Sequence, residues 1–192
     1  MTKKLPRAER RAQLLERARE IVRSEGTDAL TLGALAERAG VSKPITYSHF
    51  STRSGLMVAL YKEDMDHQVE VLAAALKRTP ECLTDVARVI ARAYLDCSST
   101  IGADGLAIAA ALKGAPEMEA YQLEMMHEHV EFYQNVLQPF STLSEKVVRR
   151  RCFGFIGAAQ ILSDDMVRGG CTLTEATDDL TGLLIFWFGG GH

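Results

Sequence analysis

The stretch TLGALAERAGVSKPITYSHF, residues 31–50, decides how this chain is read. Leu32, Leu35, Ala36 and Ala39 recur at spacings of three, one and three, which lines one face of a helix, and Thr31 stands at the N-cap position before it. Gly40 supplies the left-handed conformation that ends a helix, Val41 fills the corner, and Ser42 stands where the next helix is capped. In that second helix Thr46 and Phe50, four apart, face inward, while Pro44, Ile45 and Ser48 face the other way. Lys43 and Tyr47 run along one flank and His49 lies on the other. An outward face of small, apolar and hydroxyl groups, edged by a cation and a phenol, suits a major groove bordered by phosphates. A merely solvated face would carry more Glu and Lys. The expectation is a helix-turn-helix.

Upstream, Leu14, Leu15, Ala18, Ile21 and Val22 form one apolar stripe over residues 7–25, with Arg10, Arg11, Arg17 and Glu20 mainly outside it. This first helix, closed by Gly26, braces two helices too short to hold together alone. Downstream, Ser51 or Thr52 caps a long fourth helix with Arg53 in its first turn. A cation there opposes the helix dipole, which points to a phosphate as its partner. Residues 1–53 hold 11 Lys and Arg against 6 Asp and Glu, a balance of +5; the remaining residues hold 11 against 19, a balance of −8. The basic part coincides with the helix-turn-helix, as phosphate contact at one end requires.

Gly40, Val41, Ser42, Lys43, Tyr47, His49 and Phe50, followed by Arg53 and Leu56, resemble the signature of the TetR family of transcriptional regulators. The likeness covers about the first sixty residues. It implies a three-helix DNA-binding domain, an all-helical regulatory domain with a small-molecule pocket, and a homodimer. The chain departs from the family pattern at Thr46, where a larger aliphatic residue is usual, and at Ser54-Gly55, where helix formers are common.

The rest of the chain reads as helix throughout, giving an all-α fold of about nine helices. The fourth runs to about Arg78 and carries Met65, Val69, Leu72 and Leu76 on one stripe. Thr79-Pro80-Glu81 is read as the opening of the fifth, whose Leu83, Val86, Ala87, Ile90, Ala91 and Tyr94 repeat at three and four. Ser98 to Gly102 breaks it; a sixth spans about 103–113, and Pro116 starts a seventh that Pro139 stops. Ser144 opens the eighth, and Thr172 with Glu175 forms a capping box for the ninth. The expected division is a helix-turn-helix domain over 1–53 and a helical regulatory and dimerisation domain over 54–192.

For an effector the seventh helix presents Tyr121, Met125, His129 and Phe132 in line, with Met57, Tyr61, Ile108, Leu112 and Phe155 as facing candidates. Such a Met and aromatic stripe is more often plain core. The last two helices are apolar nearly all round, so Phe153, Ile156, Ile161, Leu183, Leu184 and Trp187 either fill the protomer or cover a partner subunit. Cys82, Cys97, Cys152 and Cys171 lack paired spacing and read as reduced thiols. No catalytic or metal-ligand motif is present, and His127 and His129, two apart on a helix, diverge. No cofactor is called for. Apolar runs fall far short of the ~20 residues of a membrane span and the N-terminus has no leader pattern, so a cytoplasmic location is expected.

The DNA-contacting set is Thr31, Ser42, Lys43, Pro44, Ile45, Tyr47, Ser48, His49 and Arg53, acting on a double-stranded, palindromic operator. The reading is a dimeric, ligand-responsive repressor released by a small, mainly hydrophobic effector. Two alternatives stay open: a DNA-binding regulator controlled by a protein partner or thiol oxidation, and a helical enzyme or carrier with a vestigial DNA-binding head.

Overall fold

The computed structural model describes residues 5–100, 107–108, 110–111 and 116–189. Among them stand eight α-helices: α1 Arg7–Glu25, α2 Leu32–Arg38, α3 Lys43–Phe50, α4 Arg53–Leu76, α5 Leu83–Thr100, α6 Pro116–Leu137, α7 Glu145–Val167 and α8 Leu173–Phe188. Single 3-10 turns occupy Thr27–Ala29 and Gln138–Phe140. The all-helical class is as the sequence predicts. The expected helix over 103–113 lies largely outside the described residues, though Ala107, Ile108, Ala110 and Ala111 are helical.

Most helix ends follow their punctuation. Gly26 closes α1 at φ 84°. The break after α7 comes at Gly169 (φ 82°), whose N–H reaches the Met166 carbonyl while Gly170 N–H reaches Asp165, the paired bonds of a Schellman motif. Thr172 and Glu175 then make the capping box, each satisfying a backbone N–H of the other. One start differs from expectation. Thr79 does not cap α5: its hydroxyl donates back to Ala75 O at 3.0 Å, ending α4, and the new helix begins at Leu83. Nor does Ser98 end α5, which continues to Thr100.

The described residues fall into two compact units, one within Met1–Asp66 and Ile101–Gln122, the other within His67–Thr100 and Leu123–His192. Helix α4 contributes residues to both, and so does α6. The first unit closes over Leu14, Ala18, Ile21, Leu30, Leu35, Phe50, Leu56 and Leu60, all almost fully buried. Helix α1 supplies the stripe that α2 and α3 lack by themselves. The core of the second unit draws on α5 to α8, with Ile90, Leu95, Phe155, Leu180, Leu184 and Phe188 at or near zero exposure. Tyr133 meets Phe155 edge-on, ring centroids 5.4 Å apart, and Tyr94 meets the same ring at 6.1 Å. Buried Thr177 and Thr181 satisfy their hydroxyls on Leu173 O and Thr177 O, one turn back in α8. None of the described helices is long and apolar enough to cross a membrane.

A candidate DNA-reading surface

The turn between α2 and α3 is built from backbone bonds. Gly40 sits at φ 63°; its N–H donates to Glu37 O at 3.1 Å, and Val41 N–H reaches Ala36 O at 2.9 Å. This is a second Schellman motif, and a side chain at residue 40 would meet the left-handed penalty. Thr31 caps α2 with its hydroxyl, accepting from Ala34 N–H at 3.0 Å. Ser42 occupies the N-cap position of α3 without a side-chain cap bond, and Pro44 lies in the first turn, where its missing N–H costs nothing.

Within α3 the two faces separate. Thr46 and Phe50 are buried, and Lys43, Pro44, Tyr47 and Ser48 are exposed, with Tyr47 at 54%. Ile45 is half-buried against the core of its unit. Thr46 explains its own departure from the aliphatic pattern. Its hydroxyl lies 3.0 Å from Leu32 O and 2.8 Å from Lys43 O, joining α3 to α2 with a bond no aliphatic residue offers. The Ser48 hydroxyl donates to Ile45 O at 2.8 Å. The Lys43 ammonium passes over Gly33, beside the first turn of α2.

Arg11 was not among the expected residues. From α1 its guanidinium donates to His49 O at 3.2 Å, capping the end of α3, and lies 4.9 Å from the centre of the Phe50 ring. No local pattern signals a contact 38 residues apart. His49 is half-buried. Burial holds its pKa below the ordinary 6.5, and Arg7, Arg11 and Arg10 push the same way. The unfolded chain therefore binds more protons as pH falls below about 6.5, so His49 contributes a loss of stability on acidification through that window. In urea melts at pH 7.5 and 5.5, His49→Gln should lose less stability on acidification than the native chain; an equal loss contradicts this account of the imidazole.

Arg53 opens α4 and stays exposed, with Nε and Nη2 donating to the carbonyls of Leu30 and Thr27 at 2.8 and 2.6 Å. The remaining expected residues divide between the units. Met57 (2% exposed), Ile108, Tyr61 and Tyr121 share the first core or its edge, the two tyrosine rings edge-on at 6.4 Å. In the second unit Phe155 is fully buried and Phe132 packs beside Tyr133 at 5.8 Å, while His129 holds its Nδ1 2.8 Å from Met125 O. Met57 and Phe155 are thus core side chains of their units. Leu112 lies outside the described residues.

Of the residues assigned to a partner contact, Leu184 needs correcting. It has no exposed surface and belongs to the protomer's own core, one position round the helix from half-buried Leu183. Phe153, Ile156 and Trp187 are half-buried, and Ile161 is 68% exposed. Trp187 lies against Gly154, where an added Cβ would meet the indole at 2.9 Å, so this glycine serves the packing of α7 on α8. Gly157 and Gly182 face open space, and Phe186 is 69% exposed.

Cys152 is fully buried and its pKa is pushed up to about 12 by burial, which removes it as a reactive thiolate. Cys82 is exposed, its thiol 3.0 Å from Asp85 Oδ2. The Cys97 side chain lies outside the described residues. Arg149 Nη2 donates to His127 Nδ1 at 3.3 Å, apart from His129.

Residues 14–60 match the family model described as bacterial regulatory proteins, tetR family. The HTH-type transcriptional activator FasR of Mycolicibacterium smegmatis is 41% identical over 78 residues, 41% of this chain and 36% of its own length. The matched part thus spans about a third of the first curated relatives. Among solved structures, a putative transcriptional regulator from Pseudomonas aeruginosa PAO1 superposes with a TM-score of 0.76 at 15% identity, covering 97% of this chain and 94% of that one. The regulator FadR from Bacillus subtilis, solved in complex with stearoyl-CoA, gives 0.65 at 19% identity over 94% of this chain and 99% of that one. At these identities the structural likeness is one of fold.

Proposed function

We infer the function from one premise: the chain belongs to the TetR family of bacterial regulatory proteins. On it, the protein is a DNA-binding transcriptional regulator that acts as a homodimer on a palindromic operator and represses until a hydrophobic effector releases it. The observation that carries the reading is α3. It leaves Lys43, Pro44, Tyr47 and Ser48 exposed while Thr46 and Phe50 lock it to its unit. Thr31, Ser42, Lys43, Tyr47 and His49 then serve phosphates, and Pro44, Ile45 and Ser48 meet base edges, Ile45 against a thymine methyl.

For the effector, the B. subtilis regulator solved with stearoyl-CoA makes a long-chain acyl thioester the first compound to try. Met125, His129 and Phe132, carried by α6 within the second unit, are the proposed contacts. Release requires that the effector bind the two spacings of the heads unequally, with α4 as the moving part.

The test is selection of bound sequences from random duplex DNA, followed by titration of the recovered site with the native chain and Tyr47→Ala. A palindrome is expected. Tyr47→Ala should weaken binding by about 1–3 kcal/mol, the range for removal of a base or phosphate anchor. Recovery of no shared sequence, or a Tyr47→Ala protein that binds like native, sinks the reading. Addition of stearoyl-CoA to the complex then tests the effector, release being the expected result.

A further inference from the structure

A basic reading head invites every exposed cation to be taken for a phosphate contact. Arg53, whose side chain stays 42% exposed, is engaged through one edge of its guanidinium. Its Nε donates to Leu30 O at 2.8 Å, its Nη2 to Thr27 O at 2.6 Å, and the Asp28 carboxylate lies 3.7 Å from the same Nη2. Thr27–Ala29 is the 3-10 turn after α1, and Leu30 immediately precedes Thr31, the N-cap of α2. One planar fork thus spans two carbonyls three residues apart, a geometry that a lysine ammonium does not reproduce. The same bonds account for a cation at the wrong end of the α4 dipole: two carbonyl oxygens and a carboxylate offset the unfavourable field.

We propose that Arg53 is a positioning residue of the reading head, tying the first turn of α4 to the turn that launches α2, and that it makes no phosphate contact in the DNA complex. This rests on the DNA-binding reading above. Its consequence is mechanical. A shift of the first turn of α4 is handed to the start of α2 through these two bonds, so the link between α4 and the helix-turn-helix is made by backbone acceptors.

The two roles separate by salt dependence, because removing one phosphate-binding cation lowers the slope of log affinity against log salt by about 0.9. Native chain, Arg53→Lys and Arg53→Gln would be titrated on the selected duplex and on a scrambled one between ~50 and ~200 mM salt. Circular dichroism would fix a temperature at which all are folded. Both variants should bind the selected site about tenfold or more weakly, the scale of hydrogen bonds from a charged donor. Their salt slope and their affinity for scrambled DNA should stay native. An Arg53→Gln slope reduced by about 0.9, with Arg53→Lys behaving as native, overturns the proposal in favour of a phosphate contact. So do folded variants with native affinity, and so does loss of folding in both, which would make the role one of stability alone. A native chain that discriminates no sequence removes the DNA-binding reading itself, a distinct failure.

Discussion

If the proposed homodimer forms through α7 and α8, Phe186→Lys is expected to leave a monomer of 21.1 kDa with its helix content intact. The side chain is 69% exposed on α8, so a lysine there is well solvated in the protomer and disturbs no core. Exposed Ile161 on α7 and the open positions Gly157 and Gly182 give the same two helices further apolar, close-approach surface. If this surface is covered by a second copy, the substitution buries an unpaired ammonium twice over, by symmetry, and the cost of several kcal/mol dissociates the dimer. Losing the second head removes the effective-concentration gain of linked binding, so operator affinity should drop by about 10²–10⁴. Sedimentation equilibrium reads the first effect and the operator titration the second. A variant that remains dimeric, or a native chain that is already monomeric at micromolar concentration, would reject α7 and α8 as the contact.

Gly55→Ala reverses the sign that helix propensity assigns to it. Glycine inside a helix costs about 1 kcal/mol relative to alanine, so the substitution in α4 looks stabilising on propensity alone. In the structure a Cβ at residue 55 would lie 2.3 Å from Phe50 O, a backbone atom at the end of α3 that no rotamer change can move. That carbonyl is fixed by the bend into α4: Ser51 takes φ 59° and Thr52 N–H reaches Phe50 O at 2.6 Å. The net result should be destabilisation by about 1–3 kcal/mol, the range for overpacking a rigid site. It would appear as a lower urea midpoint at unchanged slope. Gly33→Ala is the control, because its Cβ would meet only ordinary contacts from 3.7 Å outward, and it should be neutral or stabilising by up to about 1 kcal/mol. A higher midpoint for Gly55→Ala would refute the close approach.

Gly55 marks the kind of information that local pattern lacks. In the sequence, Ser54-Gly55 reads as a loose start to a helix; in the fold it is the gap that lets α4 leave α3 at a sharp bend. The helix-turn-helix was legible because its determinants are neighbours: Thr31 bonds three residues on, and Gly40 and Val41 bond back into the last turn of α2. Thr79 was misread because Thr-Pro-Glu fits a cap equally well whether the hydroxyl looks forward or, as here, back to Ala75. Leu184 and Leu183 could not be told apart on a helix apolar nearly all round, where only packing decides which side is core. Arg11 and Arg53 escaped for another reason. Their acceptors lie 38, 23 and 26 residues away in sequence, and no local pattern signals such bonds.

The most direct test of the account is a hydroxyl-radical footprint of the native chain on the selected duplex at near-physiological salt. Two protected half-sites on one face of the DNA, related by a two-fold axis and centred about 34–36 Å apart or a multiple of that, are predicted for a dimer of helix-turn-helix heads. Uniform protection that ignores sequence and vanishes between ~50 and ~200 mM salt would be electrostatic coating alone, and would contradict the reading of α3 as a DNA-recognition helix.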